Sequence, residues 1–311
     1  MTSRIRNLQP PGTFMGVPYL EAVRPGQGVI LGVPFDCGTH PTRIGSRQGP
    51  RAIRDQSSLV RPYYPALSDT NILEEMDVVD AGDVTVVSSQ TEQSLRNIEQ
   101  ACSAIMEAGG YPVGMGGDGL VSLPLLRAAG RHHPGLVVLH IDAHTDAYNL
   151  PGFNTSTTFT RAAEEKVIDV QRSFHIGARG SLAVQGAYDF TRSLGYNLVL
   201  GDDVRRLGIA EVLRQIHDVV DGRPVYLCFD MDYIDPSAAP GVATPTWGGP
   251  DVSSALELLH GLSGLNIVAA DVNTVSPSHD VGGMTAYLAG HFMMVALHLM
   301  ALGRNRRSEG V

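Results

Sequence analysis

Seven short apolar runs recur along the chain, spaced so that helices fit between them. They are 28–34 (GVILGVP), 111–117 (YPVGMGG), 136–142 (LVVLHID), 172–179 (RSFHIGAR), 196–203 (YNLVLGDD), 224–232 (PVYLCFDMD) and 265–273 (LNIVAADVN). Runs this short and this continuously apolar predict strands buried on both faces. Helix-length stretches lie at 91–110, 209–222 and 253–264, and 285–304 follows the last strand as a final helix. The alternation predicts an α/β fold with a mainly parallel sheet covered on both sides. No low-complexity linker interrupts it, so residues 1–311 read as one domain with an N-terminal arm over about 1–27.

Several of these strands finish in acids or glycine-rich turns, and the carboxyl edge of an open parallel sheet is where ligands bind. A site is therefore expected to gather residues 36–47, 114–122, 142–158, 230–247 and 271–285. In HIDAHTDAY (140–148), Asp142, His144 and Asp146 stand two residues apart. Positions i, i+2 and i+4 of an extended chain share a face, so the three converge if that geometry continues past the strand. CFDMD (228–232) repeats the device with Asp230 and Asp232. Four clustered carboxylates repel one another and rise in pKa unless cations neutralise them. Two divalent ions match that charge, and oxygen donors with one imidazole suit Mn²⁺ or a similar ion. A lone DxD or DxH at a strand end is more often a cap or a turn. Two such clusters closing two buried strands of one sheet outweigh that reading.

Composition narrows the function classes. The 311 residues are 43% hydrophobic with a formal net charge of -9 and no basic block, which disfavours nucleic acid and anionic membranes as partners. The opening MTSRIRNLQPPGTF lacks a signal-peptide core, and no uninterrupted apolar run reaches the ~20 residues of a membrane span. Cys37, Cys102 and Cys228 are far apart and show no CxxC spacing, so neither a disulfide framework nor thiolate zinc is supported. A cytoplasmic protein is expected. GMGGDG (114–119) fits a dinucleotide fingerprint, with Asp142 at 23 residues beyond Gly119. It does not open the first βαβ unit, however, and Asp142 belongs to DxHxD. A nucleotide-binding oxidoreductase is the weak rival.

With these motifs assembled, the chain resembles the ureohydrolase family of arginases, agmatinases, guanidinobutyrases and the amidino hydrolase of clavam biosynthesis. The resemblance runs from about residue 13 to 302, through TFMGVPYL, GVPFDCGTHPTRIGSRQGPRAIR, GMGGDG, HIDAHTDAY, CFDMDYIDPSAAPGVATPTWGG and DVNTVSPSHDVGGMTAYLA. It implies a three-layer α/β/α sandwich around a parallel eight-stranded sheet, and a homo-oligomer, often a trimer or hexamer. It also implies two Mn²⁺ ions that share a bridging hydroxide, the nucleophile towards a guanidinium carbon. By resemblance, Asp142 and Asp230 are the bridging carboxylates, Asp146 serves the first ion, and His144 and Asp232 serve the second.

Three positions depart from the family pattern. Gly119 stands where the GGDHS histidine ligates the first ion. Thr155 stands where the HGTPF histidine transfers protons, and Thr274 where a glutamate anchors the guanidinium. Two ions per subunit are expected, or one if the ligand lost at Gly119 is decisive. The expected function is hydrolysis of a C–N bond in a small guanidino compound or a less basic relative: an amidine, a modified guanidine or an amide. The alternative is an impaired homologue serving as a binding or regulatory subunit. His279 and His40 are candidates to replace the lost acid–base group, and Arg43 and Arg47 to bind a substrate carboxylate. Cys37 sits in a matched family motif and Cys228 in a buried strand, so neither is read as a nucleophile.

Overall fold

The computed structural model describes residues 12–38 and 40–309. Eight strands form one sheet: β1 Gly28–Gly32, β2 Val79–Asp83, β3 Tyr111–Met115, β4 Val137–Ile141, β5 Phe174–Ile176, β6 Asn197–Val199, β7 Pro224–Asp230 and β8 Asn266–Asn273. Their order is β2-β1-β3-β8-β7-β4-β5-β6, and every pairing is parallel. The helices are α1 Gly49–Ser57, α2 Ile72–Glu75, α3 Thr91–Glu107, α4 Ser122–His132, α5 Thr158–Glu164, α6 Ala187–Ser193, α7 Gly201–Leu207, α8 Ile209–Val220, α9 Val252–Gly261 and α10 Met284–Glu309. The architecture is the expected three-layer sandwich.

Alternation along each strand sends its side chains to two separate cores. Val137, Leu139 and Ile141 of β4 join Ile53 of α1, Ile216 of α8, Leu258 of α9 and Phe292 of α10. Val138 points the other way, to Leu95 of α3, Leu126 of α4 and Phe159 of α5. By the same phase His140 and then Asp142 belong to the α3–α5 side. In β7 Tyr226 and Cys228 share that side, so Asp230 does too. Helix α10 has the length and composition of a membrane span, but most of it is buried within this fold, which makes it a core helix.

Boundaries differ from the sequence reading where local chemistry intervenes. The 111–117 run stops pairing at Met115 because Gly116 and Gly117 both take φ of 78°. The 196–203 run pairs only over Asn197–Val199, and helix α7 begins at Gly201. Strand β2 (VDAGD) is absent from the sequence reading, since acids occupy two of its positions. Asp80 is tolerated there, at 0% exposure, because Arg54 of α1 grips both its oxygens at 2.8 and 2.9 Å. The same carboxylate accepts the Phe14 and Gly82 N–H groups, tying the N-terminal arm to the sheet edge. Arg54→Leu should therefore destabilise the fold by about 3–5 kcal/mol, because it leaves a buried charge unpaired. Denaturant titration checks this; a loss below about 1 kcal/mol would place the pair with ordinary surface bridges.

Candidate metal centre

Parallel register delivers the first two acids. Ile141 of β4 pairs with Phe229 of β7, so the next residues, Asp142 and Asp230, emerge side by side at the carboxyl edge. Asp142, Asp146, Asp230 and Asp232 are all buried. Convergence is not achieved by extended chain, as the sequence spacing suggested. Strand β4 ends at Ile141, the Asp142 carboxylate accepts the His144 N–H at 2.6 Å, and Asp146 takes a left-handed φ of 44°. Asp232 is likewise brought round by a short 3₁₀ turn, donating its N–H to Asp230 Oδ1 at 2.8 Å. These turns fold the side chains inward where a strand would have carried them away from the sheet.

His144 bridges the two clusters: its Nδ1 lies 3.2 Å from both Asp142 Oδ1 and Asp232 Oδ2. Its Nε2 faces the Thr246 hydroxyl at 3.2 Å, the kind of outer partner that would fix the ring if Nδ1 held an ion. Asp142 Oδ2 is buried and receives no well-aligned hydrogen bond, although His140 Nε2 lies 2.8 Å away. Burial, and then the charge of Asp142, push Asp146 well above the usual carboxylate range; burial, Asp232 and Asp142 do the same to Asp230. Asp232 is pushed up to about 6 by burial and Asp142. Burial opposes the ionised form of Asp142 as well, but the His140 and His144 imidazoles hold it well below that range. For His144, the pull of Asp232 and Asp142 overcomes burial and raises its pKa.

The donor set has the composition that a cation would require. Four buried carboxylates, one with an unsatisfied oxygen, form a donor set that stays ionised only beside positive charge. Asp142, His144 and Asp232 lie close enough to share one ion, as do His140, Asp142 and Asp146. The signs of these shifts set a pH dependence. Acids with raised folded pKa contribute stability at low pH and lose it as pH rises through the folded value. His144, also raised, loses its contribution in the same direction. Asp142, depressed, contributes a constant amount above the usual carboxylate range. The chelated protein should therefore lose melting temperature between pH 5 and 8 relative to the Mn²⁺-loaded one. A gap that is constant or narrows over this range would contradict the assignment.

A cavity of about 240 Å³ opens over His144, Asp146, Asp230 and Asp232, lined also by His40, Asp118, Tyr148, Thr155, Ser156, Ser181 and Thr274. Gly119 faces Asp146: a Cβ there would stand 2.8 Å from Asp146 Oδ2 and 2.7 Å from Thr155 Cγ2. Two of the three departures from the family pattern are thus neighbours, and Thr155 fills part of the space a larger residue 119 needs. Thr155 Oγ1 is 3.8 Å from the Cys37 thiol. Thr274, at φ 62°, donates its hydroxyl to Asp230 Oδ1 and its N–H to the Gly117 carbonyl.

The other candidates separate. His279 turns to the Ser276 and Ser278 hydroxyls and does not line the cavity, whereas His40 does. His40 Nδ1 accepts the Thr42 and Arg43 N–H groups, which leaves Nε2 to carry the proton. Arg43 is spent on the carbonyls of Pro240, Val242 and Ala243, and Arg47 reaches the Asp36 carbonyl. Cys228 is buried in β7, its thiol pushed up by burial and by Asp271. Sequence reasoning passed over His140 and Asp118. The i, i+2 rule applied to Asp142 and His144 would also have included His140.

Residues 27–299 match the profile of the arginase family. Guanidinopropionase of Pseudomonas aeruginosa is 38% identical, over 93% of this chain and 91% of that protein. The human mitochondrial guanidino acid hydrolase is 33% identical, over 92% and 81%. The crystal structure of proclavaminate amidino hydrolase from Streptomyces clavuligerus superposes with a TM-score of 0.89 at 32% identity, covering 95% of this chain and 98% of that one. The chain belongs to the arginase family.

Proposed function

We propose that this protein is a Mn²⁺-dependent hydrolase that cleaves a C–N bond of a small guanidino compound or a less basic relative. The observation that carries the reading is the convergence of Asp142, His144, Asp146, Asp230 and Asp232 at the carboxyl edge, with Asp142 Oδ2 buried and unsatisfied. Asp142 and Asp230 would lie between two ions, with Asp146 on the first and His144 and Asp232 on the second. Bound there, the ions would supply a nucleophile from water near neutral pH. In the reaction water adds its oxygen to the central carbon, the C–N bond breaks, and the leaving amine takes a proton. His40 and the Thr155 hydroxyl are the cavity groups placed to pass that proton.

Altered anchoring follows from Thr274, whose hydroxyl is held by Asp230 and which offers no carboxylate to a guanidinium. Ser156, Ser181 and Thr244 line the cavity together with Leu150, Ala183 and Val184. Relatives named guanidinopropionase, guanidinobutyrase and agmatinase define the panel to test, with the less basic acylguanidines and formamidines added. After Mn²⁺ loading, product release from a less basic member should exceed release from guanidinobutyrate or agmatine. Absence of turnover across the panel would favour the binding or regulatory subunit.

A further inference from the structure

Two histidines behind the acids have no role in the reaction proposed above. His140 and His175, 2% and 0% exposed, place their Nδ1 atoms 2.8 Å apart, a contact that holds one proton. Phe159 packs against His140 at 4.1 Å between ring centroids, and Tyr196 against His175 at 4.4 Å, so neither ring is free to swing. The other nitrogen of His140, Nε2, stands 2.8 Å from Asp142 Oδ2, yet is not aligned to donate a good hydrogen bond to that oxygen. Two lone pairs at this distance repel unless a proton or a cation lies between them.

We propose that His140 Nε2 is the nitrogen ligand of the first ion, in place of the histidine that the family motif puts at Gly119. The inference rests on the dinuclear reading above and assigns one more donor to it. The ligand atoms of His140, Asp142 and Asp146 lie within 4.8 Å of one another, as do those of Asp142, His144 and Asp232. Each Asp142 oxygen then faces one imidazole nitrogen: Oδ2 faces His140 at 2.8 Å, and Oδ1 faces His144 at 3.2 Å. An octahedral ion with bonds of about 2.1 Å holds adjacent ligands about 3.0 Å apart, between those two values. The outer contacts match as well. His144 Nε2 meets the Thr246 hydroxyl, and His140 Nδ1 donates to His175 Nδ1, leaving Nε2 with the lone pair a metal needs. Glycine at 119 is then accommodated, because the first ion keeps an imidazole from the strand behind it.

The Co²⁺-loaded wild-type chain, studied by proton NMR, gives one paramagnetically shifted, exchangeable imidazole N–H signal for each ligating histidine. Two such signals are expected, from His140 Nδ1–H and His144 Nε2–H. His140→Gln should remove one of them and weaken the first Mn²⁺ by about 10–100-fold or more, with the second ion retained. Two bound ions with a single shifted signal in the wild type would overturn the role of His140 and leave the dinuclear reading standing. No bound ion and no shifted signal would overturn both. The wild-type spectrum decides the matter even if the variant does not fold.

Discussion

Asp142→Asn should abolish Mn²⁺-dependent hydrolysis, with more than about a 100-fold loss in kcat/KM, while the chain stays folded. Loss of an outer partner of a metal ligand costs about 10–100-fold, and Asp142 would contact both ions directly. Both of its oxygens already face imidazoles, Oδ1 towards His144 and Oδ2 towards His140. An amide keeps the shape but cannot offer two anionic oxygens. The fold survives because it rests on the two cores flanking the sheet, neither of which includes Asp142. Kinetics with metal analysis of the purified variant checks this. Unchanged turnover and unchanged Mn²⁺ content would remove Asp142 from the centre.

Restoring the family residues should have the opposite sign. The triple variant Gly119→His, Thr155→His, Thr274→Glu is expected to raise hydrolysis of 4-guanidinobutyrate or agmatine by about 10²–10⁴-fold, the range that a positioned acid–base group contributes. The carboxylate introduced by Thr274→Glu would give a charge-assisted anchor and add about 1.5–3 kcal/mol of substrate binding. The changes have to be made together. A side chain at 119 meets Thr155 Cγ2 at 2.7 Å, so Gly119→His alone overpacks the site and should destabilise it by about 1–3 kcal/mol. Thr274 is also a β-branched residue at φ 62°, a conformation that is strained for such a side chain. Urea release from each variant checks this. A folded triple variant with full metal content and no gain would show that these positions do not set the reaction.

How far the sequence could be read depended on whether local pattern or tertiary contact decided the feature. The central strands were legible because burial on both faces leaves continuous apolar runs such as LVVL before Asp142 and VYLCF before Asp230. Strand β2 was not, since Asp80 looks like a loop residue until Arg54 arrives from α1, 26 residues earlier. The acids of the candidate site were legible by spacing and by resemblance, but the geometry that unites them was not. Asp146 and Asp232 arrive through a left-handed residue and a 3₁₀ turn, which spacing alone does not encode. Arg43 read as a substrate ligand, but its guanidinium is satisfied by carbonyls nearly 200 residues away in sequence. The adjacency of Gly119 and Thr155 was equally hidden, because 36 residues and a strand separate them.

On the proposed reading, the centre holds two ions although Gly119 offers no side chain to ligate one. Anomalous diffraction at the manganese edge, on crystals of the Mn²⁺-loaded chain, tests it most directly. Two peaks are predicted, with Asp142 and Asp230 between them, one beside Asp146 and the other beside His144 and Asp232. A single peak beside His144, or none, at saturating Mn²⁺ would contradict it.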